Sequence, residues 1–218
     1  MDGTLLDHDR AEKLAALDFY DQYIQDIKLT EDQFILRWQK LSEYFYNQYL
    51  TKKLSFQEQR QMRVKAVVGK PLSDQKADEI FAVYTQGYKQ NWRAFDDVND
   101  CLQQLRARGY ALGVISNGDL TQQKEKLSRI GLECYFDYVV TSSDVGAAKP
   151  EKDIFLKACQ RADVSVKNSY YVGDRLDVDA IASQRVGMNG IWLNRKGMMQ
   201  EANVPVIRTL EELIPIVC

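Results

Sequence analysis

Apolar and aromatic residues between positions 9 and 92 recur every three or four residues, which is the spacing of one face of an α-helix. The pattern predicts four helical segments, with a break at Gly69-Lys70-Pro71 before the last of them. The first carries an apolar face of Leu14, Leu17 and Tyr20, with Ile24 and Ile27 further on, and the second a face of Phe34, Leu41, Phe45 and Tyr49. The last two cover 55–67 and 73–90.

The composition of this segment also favours helices. It holds fourteen of the chain's 23 aromatic residues but only two of its twelve glycines, as in an all-α bundle with an aromatic core. We therefore interpret most of these aromatic side chains as core packing. Trp38, Tyr46 and Trp92 are the candidates to face a ligand instead.

From residue 95 the pattern changes to short apolar runs that alternate with helical segments, which predicts βαβ units and a parallel sheet. The predicted helices cover 97–108, 120–130, 151–162 and 177–186, and the predicted strands are YALGVIS, FDYVVTS, SYYVGD, GIWLN and PVIRT. The predicted fold class is α/β. Residues 1–8 and 95–218 would form a Rossmann-like parallel-sheet core, with an inserted all-α helical domain at 9–94.

Composition excludes several classes of protein. A net charge of −2 and a pI near 5.6 give no basic surface, so neither nucleic acid nor an anionic membrane is a predicted partner. The four cysteines (Cys101, Cys134, Cys159 and Cys218) form no CxxC pair, which is typical of reduced thiols and not of a zinc site or disulfide framework. No apolar run reaches the length of a membrane span, and the start lacks the features of a signal peptide. We predict a cytoplasmic protein.

Polar residues follow three of the predicted strands. Ser116-Asn117-Gly118 follows GVI, Lys149-Pro150 begins the helix after FDYVVTS, and a run of carboxylates that includes Asp174 and Asp179 follows YYV. A hydroxyl, backbone amides and an ammonium can bind a phosphate, and carboxylates can hold Mg²⁺. Taken singly, these stretches also fit a plain turn, a common helix start and a solvated acidic turn. Ligands of parallel sheets bind at the carboxyl ends of the strands, so their joint occurrence there favours a site.

The stretches DGTLLD, VISNGD, AAKP and VGDRLDVD occur in this order along the chain. This series resembles the four motifs of the haloacid dehalogenase superfamily of phosphohydrolases. The helical segment between the first two stretches resembles the C1-type cap of that superfamily, which closes over a small substrate. The resemblance covers the whole chain.

The resemblance implies a covalent mechanism. In the family an aspartate attacks phosphorus and forms an aspartyl-phosphate, and a second aspartate two residues later protonates the leaving oxygen and then activates water. Side chains at i and i+2 of a strand point the same way, so both carboxylates face one pocket. Mg²⁺ neutralises charge between the nucleophile and the phosphate, while a lysine and a hydroxyl hold the phosphoryl oxygens.

The family roles transfer to particular residues of this chain. The implied catalytic residues are Asp2, as the acid/base, and Lys149, as the lysine of the third motif. The implied phosphate-binding residues are Thr4, which steadies the first loop in the family, and Ser116, Asn117, Gly118 and Lys149. The implied Mg²⁺ ligands are Asp2 through its main-chain carbonyl, Asp174, and Asp179, which supports either the metal shell or the lysine.

The chain departs from the family at its start. The nucleophile would stand one residue before Met1, at the end of a strand of roughly seven residues that lies mid-sheet in the family. Either Met1 is an internal methionine of a longer protein, or the chain is truncated and inert as a nucleophilic enzyme. For the chain as given we predict a sheet that lacks its central strand, or one repaired by another segment or a neighbouring chain.

Three functional hypotheses follow from the resemblance. The first is a Mg²⁺-dependent phosphomonoesterase acting on a small phosphorylated metabolite, such as a nucleotide or a sugar phosphate. The second is a metal-independent haloacid dehalogenase. It is disfavoured because dehalogenases lack an acid at the position of Asp2, since a leaving halide needs no proton. The third is a catalytically inactive family member that binds phosphorylated ligands or a protein.

Overall fold

A computed structural model describes residues 1–23 and 29–217 of the chain, so Ile24, Ile27 and Cys218 lie outside the described residues. The chain divides into two compact units. One comprises Met1–Asp7 and Arg93–Cys218, and the other comprises His8–Trp92. Among the helices in the described ranges, none is both long enough and apolar enough to cross a membrane.

The second unit is all-helical, and its helix starts are encoded locally. Thr30 with Gln33, and Ser55 with Glu58, form capping boxes in which each side chain bonds the other residue's backbone amide. These caps satisfy amide groups that the first helical turns leave without partners. The helices are α1 (His8–Tyr23), α2 (Glu31–Leu50), α3 (Phe56–Val68) and α4 (Asp74–Gln90).

The core of this helical unit is aromatic. Trp38 is fully buried, with ring centroids 4.5 Å from Tyr84 and 5.1 Å from Phe19. A β-carbon added at Gly87 of α4 would lie 3.6 Å from Ala15 of α1, so small residues let these two helices approach closely. The fully buried stripe of α1 therefore consists of small residues and Phe19, whereas the predicted face of Leu14, Leu17 and Tyr20 is only half-buried.

The first unit alternates strands and helices, as the sequence pattern predicted. Its helices are α5 (Val98–Ala107), α6 (Leu120–Arg129), α7 (Ser142–Val145), α8 (Lys152–Ala162), α9 (Ala182–Val186) and α10 (Ile214–Val217). Its strands are β1 (Gly113–Ser116), β2 (Tyr138–Thr141), β3 (Tyr170–Gly173), β4 (Asn189–Leu193) and β5 (Val206–Ile207). All the pairings between these strands are parallel, which confirms the α/β class.

The helix predicted over 177–186 differs in form from the prediction. Leu176–Ile181 forms a π-helical turn, and only α9 that follows it is α-helical. The amide of Asp179 donates to the carbonyl of Arg175 at 2.8 Å. The wider turn places Asp179 directly beside Gly173, where a β-carbon would lie 2.4 Å from the Asp179 side chain. Single π turns of this kind are frequent at functional sites.

The strands form two separate sheets in the described part of the chain. One has the order β1-β2 and the other the order β3-β4-β5. Between β1 and β3 lies a slot with a cavity of about 330 Å³, bordered also by α5 and α8. Its lining includes Leu102, Val114, Ala158 and Val172. The slot is mainly apolar, and among the residues that the structure describes no strand pairs with the strand edges that flank it.

Candidate functional site

The loop formed by residues 1–7 is held by main-chain hydrogen bonds. The carbonyl of Met1 accepts the amides of Thr4, Leu5 and Leu6 at 2.8–3.3 Å, and the amide of Gly3 donates to the Leu6 carbonyl at 2.9 Å. The loop is therefore a closed turn, which fixes the directions of the Asp2 and Thr4 side chains.

Thr4 links this loop to the end of β3. Its hydroxyl donates to Asp174 Oδ1 at 3.1 Å. Gly3, at φ +74°, lies so close to Asp174 that a β-carbon on it would be 2.5 Å from Oδ2. Burial, and secondly the charge of Asp179, raise the pKa of Asp174 above its ordinary value. A carboxylate that is destabilised in this way would be stabilised by a bound cation.

Lys149 forms the centre of a second group of contacts. Its ammonium donates to Asp179 Oδ1 at 2.6 Å and to the Tyr171 hydroxyl at 3.0 Å. Burial alone would lower the pKa of Lys149, but Tyr171 and the Asp179 carboxylate outweigh it and raise that pKa. Burial alone would raise the pKa of Asp179, but Lys149 and the Arg175 amide lower it overall. Both groups are therefore charged at neutral pH.

The turn after β1 brings Asn117 next to Lys149. The side chain of Asn117 accepts the Lys149 amide at 2.7 Å and donates to the Lys149 carbonyl at 3.0 Å. The Ser116 hydroxyl is buried and contacts the Asn117 carbonyl at 3.2 Å. The Gly118 amide donates to the Ser142 hydroxyl at 2.7 Å, so it already has a partner within the protein.

The structure thus divides the candidate site residues of the sequence analysis between two linked groups. In the first group, Thr4 contacts Asp174. In the second, Asn117 bonds the backbone of Lys149, and the Lys149 side chain bonds Asp179. Of the two supports considered for Asp179, the contacts favour the lysine, because Oδ1 faces Lys149 and Oδ2 accepts the Arg175 amide at 3.0 Å. Asp2 faces a different partner, Lys126, whose ammonium lies 2.7 and 2.8 Å from its two carboxylate oxygens.

The fit to a metal ion rests mainly on Asp174. Within the described residues, no group of three or more His, Cys, Asp or Glu side chains is arranged as a metal site. Mg²⁺ does not need one, because it keeps several waters and binds through one or two carboxylates and substrate phosphates. One half-buried carboxylate with a raised pKa, beside Gly3 and near the charge of Asp179, fits that requirement.

Three residues that contact the site are absent from the sequence analysis. Lys126 contacts Asp2, Tyr171 contacts Lys149 and Asp179, and Arg195 donates to the Thr4 carbonyl at 3.0 Å. Arg195 also forms a bidentate pair with Asp97 at 2.8 and 2.9 Å. None of them lies in one of the four motifs. Tyr171 lies in the predicted strand SYYVGD, where its signal is that of a strand residue and not of a site residue.

Comparison with known proteins agrees with the motifs. The model of the haloacid dehalogenase-like hydrolase family matches residues 1–193. A glyceraldehyde 3-phosphate phosphatase of Methanopyrus kandleri is 38% identical over 109 residues, which cover 50% of this chain and 46% of that protein. The chain spans about half the length of the curated relatives it matches first.

Solved structures share the fold. The HAD-type hydrolase YfnB of Bacillus subtilis, bound to magnesium, matches 100% of this chain and 95% of its own at a TM-score of 0.83 and 24% identity. A HAD phosphatase of Thermococcus onnurineus matches 100% of this chain and 94% of its own at a TM-score of 0.71 and 30% identity. The sheets and the helical insertion are therefore those of a known architecture.

Proposed function

The chain belongs to the haloacid dehalogenase-like hydrolase family, and on that premise we propose that it is a Mg²⁺-dependent phosphomonoesterase for a small sugar phosphate. The observation that carries this proposal is the Lys149–Asp179 pair. It holds a charged, buried ammonium beside Tyr171, whose hydroxyl donates to the Ile115 carbonyl of β1. Asn117 bonds the Lys149 backbone at the carboxyl end of that strand, where ligands of parallel sheets bind. A buried ammonium and a hydroxyl in one place are suited to phosphoryl oxygens.

The residues then have distinct roles. Lys149 and the Ser116 hydroxyl bind the phosphoryl oxygens, and Asp179 with Tyr171 holds Lys149 in place. Asp2 is the acid/base that protonates the leaving oxygen and then accepts a proton from water. Asp174, held by Thr4, is the side-chain ligand for Mg²⁺, with the Asp2 carbonyl as a second donor. When bound, Mg²⁺ supplies charge neutralisation between the nucleophile and the phosphate.

The nucleophile in this proposal is an aspartate directly before Met1, carried by an apolar strand that fills the slot between β1 and β3. The slot has the apolar lining and the two flanking strand edges that such a strand requires. A strand in this slot would join the two sheets into one. Its last residue would then lie two positions before Asp2, on the same side of the backbone.

The substrate class comes from the relatives. Several of the curated relatives are glyceraldehyde 3-phosphate phosphatases, which act on a short phosphorylated sugar. We therefore favour small sugar phosphates and keep nucleotides as the second class to test. The free thiols of Cys134 and Cys159 support a reducing, cytoplasmic compartment.

The test uses three forms of the protein: the chain itself, the chain extended by an apolar segment that ends in Asp before Met1, and the same extension ending in Asn. Hydrolysis of 4-nitrophenyl phosphate and of a panel of sugar phosphates and nucleotides is measured with and without Mg²⁺. We expect Mg²⁺-dependent turnover in the Asp form and none in the Asn form. A folded Asp form that hydrolyses no phosphate ester contradicts the proposal. Phosphate binding without turnover would support the inactive binding protein.

A further inference from the structure

One face of α6 is polar and yet buried. Gln123 and Lys126 lie three residues apart on this helix and are only 2% and 3% exposed. Lysine is almost never fully buried unless it is paired, because removing an ammonium from water is costly. The chain therefore keeps a charged side chain at a position where an apolar residue would pack more simply.

The buried ammonium is directed at one carboxylate. Lys126 Nζ lies 2.7 Å from Oδ1 and 2.8 Å from Oδ2 of Asp2, whose side chain is 29% exposed. A contact that includes both oxygens restricts the rotation of the carboxylate about its own axis. Lys126 thus constrains the side chain that we propose as the acid/base.

The loop that carries Asp2 does not depend on this contact for its backbone. Its amides bond to the Met1 and Leu6 carbonyls within the loop, and its Leu5 carbonyl accepts the Phe95 amide at 3.0 Å. Arg195 holds the Thr4 carbonyl from another side. The loop backbone is thus held by other bonds, and the contact with Lys126 fixes the orientation of the Asp2 carboxylate.

From this geometry we infer that Lys126 is a positioning residue for acid catalysis by Asp2, an inference that rests on the proposed phosphatase function. As the bond between phosphorus and the ester oxygen breaks and the bond to the nucleophile forms, Asp2 gives its proton to that ester oxygen. Lys126 holds the carboxyl group toward the leaving oxygen and neutralises the carboxylate that remains. Asp2 regains a proton from the water that later attacks the phosphorylated nucleophile.

The dependence of the rate on the leaving group tests this role. An alkyl phosphate, such as glycerol phosphate, needs a proton on its leaving oxygen, whereas 4-nitrophenolate leaves without one. We expect Lys126→Met to lower kcat/KM for the alkyl phosphate by about 10²-fold, the usual range for general acid catalysis, and to lower kcat/KM for the aryl phosphate far less. Lys126→Arg should recover most of the loss, because it keeps a cation there.

Gln123→Met is the matched control, since it removes a buried polar group from the same helix face. It should leave the ratio of the two kcat/KM values unchanged. An equal loss for both substrates in Lys126→Met, or no loss, overturns the inference. If the parent protein with its Asp extension hydrolyses neither substrate, the proposed function fails instead.

A crystal structure gives a readout that does not depend on turnover. We expect the Asp2 carboxylate to rotate away from its position in Lys126→Met and to keep that position in Lys126→Arg and Gln123→Met. An unchanged Asp2 side chain in Lys126→Met overturns the inference even if the protein is inactive.

Discussion

Lys149 Nζ and Asp179 Oδ1 lie 2.6 Å apart, and their side chains are only 10% and 3% exposed. Removing one member of such a pair leaves a charge buried without its partner, which typically costs about 3–5 kcal/mol. We therefore expect Lys149→Met to lower the free energy of unfolding by about 3 kcal/mol, measured by urea denaturation. Adding Asp179→Asn should recover much of that loss, because the stranded carboxylate is then neutral. Strictly additive effects in this double-mutant cycle would contradict a coupled pair.

The contribution of Asp174 to stability should be more favourable at low pH than at neutral pH. Its folded-state pKa is raised above 3.8, so the folded form binds the proton more tightly than the unfolded form. Asp174 therefore stabilises the folded state below pH 3.8, and this contribution is lost as the pH rises through the raised pKa. Asp174→Asn should therefore raise the melting temperature at pH 7 without Mg²⁺, as measured by calorimetry.

Stabilisation by Mg²⁺ tests whether Asp174 is the metal ligand. In the parent protein, Mg²⁺ at about 100 times its Kd should add about 2.7 kcal/mol of stability. Asp174→Asn should remove this gain, while Asp137→Asn, a change at an acid that pairs with Arg106 instead, should retain it. Equal stabilisation of both variants by Mg²⁺ would exclude Asp174 as the ligand.

Gly3→Ala should disturb the site more than its backbone angle explains. Gly3 and Gly146 have φ values of +74° and +73°, but a β-carbon at Gly3 would lie 2.5 Å from Asp174 Oδ2, whereas one at Gly146 has no atom within 4 Å. Both substitutions incur about 1–2 kcal/mol for the left-handed backbone. Only Gly3→Ala should add a further loss of stability and weaken Mg²⁺ binding, measured by denaturation and isothermal titration. Equal losses in the two variants would contradict this reading of Gly3.

The parts of the site that the sequence could predict lie in continuous motifs. Ser116 ends β1, Asp174 directly follows β3 and Lys149 lies shortly before α8, so a pattern of apolar runs and polar ends indicates them. The class of the fold was predictable for the same reason. The alternation of strands and helices depends on local periodicity.

Contacts that depend on tertiary packing were not predictable in this way. Lys126 is one of several polar residues in LTQQKEKLSR, and only the docking of α6 makes its side chain buried. The buried face of α1 was predicted at Leu14, Leu17 and Tyr20. The close approach of α4 through Gly87 and Ala15 instead selects the small side chains of the adjacent stripe. Nothing in the local sequence specifies which of two neighbouring helix faces a partner will cover.

The slot between β1 and β3 gives the last prediction. An apolar strand added before Met1 would bury the apolar side chains that line the slot, and each fully buried Val or Leu of the strand itself contributes about 1.5–3 kcal/mol. We expect the Asp-ended extension to raise the free energy of unfolding by at least about 2 kcal/mol and to raise the m-value in urea, because more surface is buried. The Asn-ended form should gain as much, since this effect depends on the strand and not on the nucleophile.

An extension of equal length made of Ser and Gly is the control, and it should leave stability unchanged. Ala158→Trp, which fills the slot from α8, should reduce the gain from the apolar extension, whereas Gln160→Trp, at an exposed position of the same helix, should not. If the apolar and Ser/Gly extensions change stability equally, the slot does not accept a strand. Tyr171, whose hydroxyl donates to the Ile115 carbonyl at 3.1 Å, would then be one of the contacts that join the two sheets.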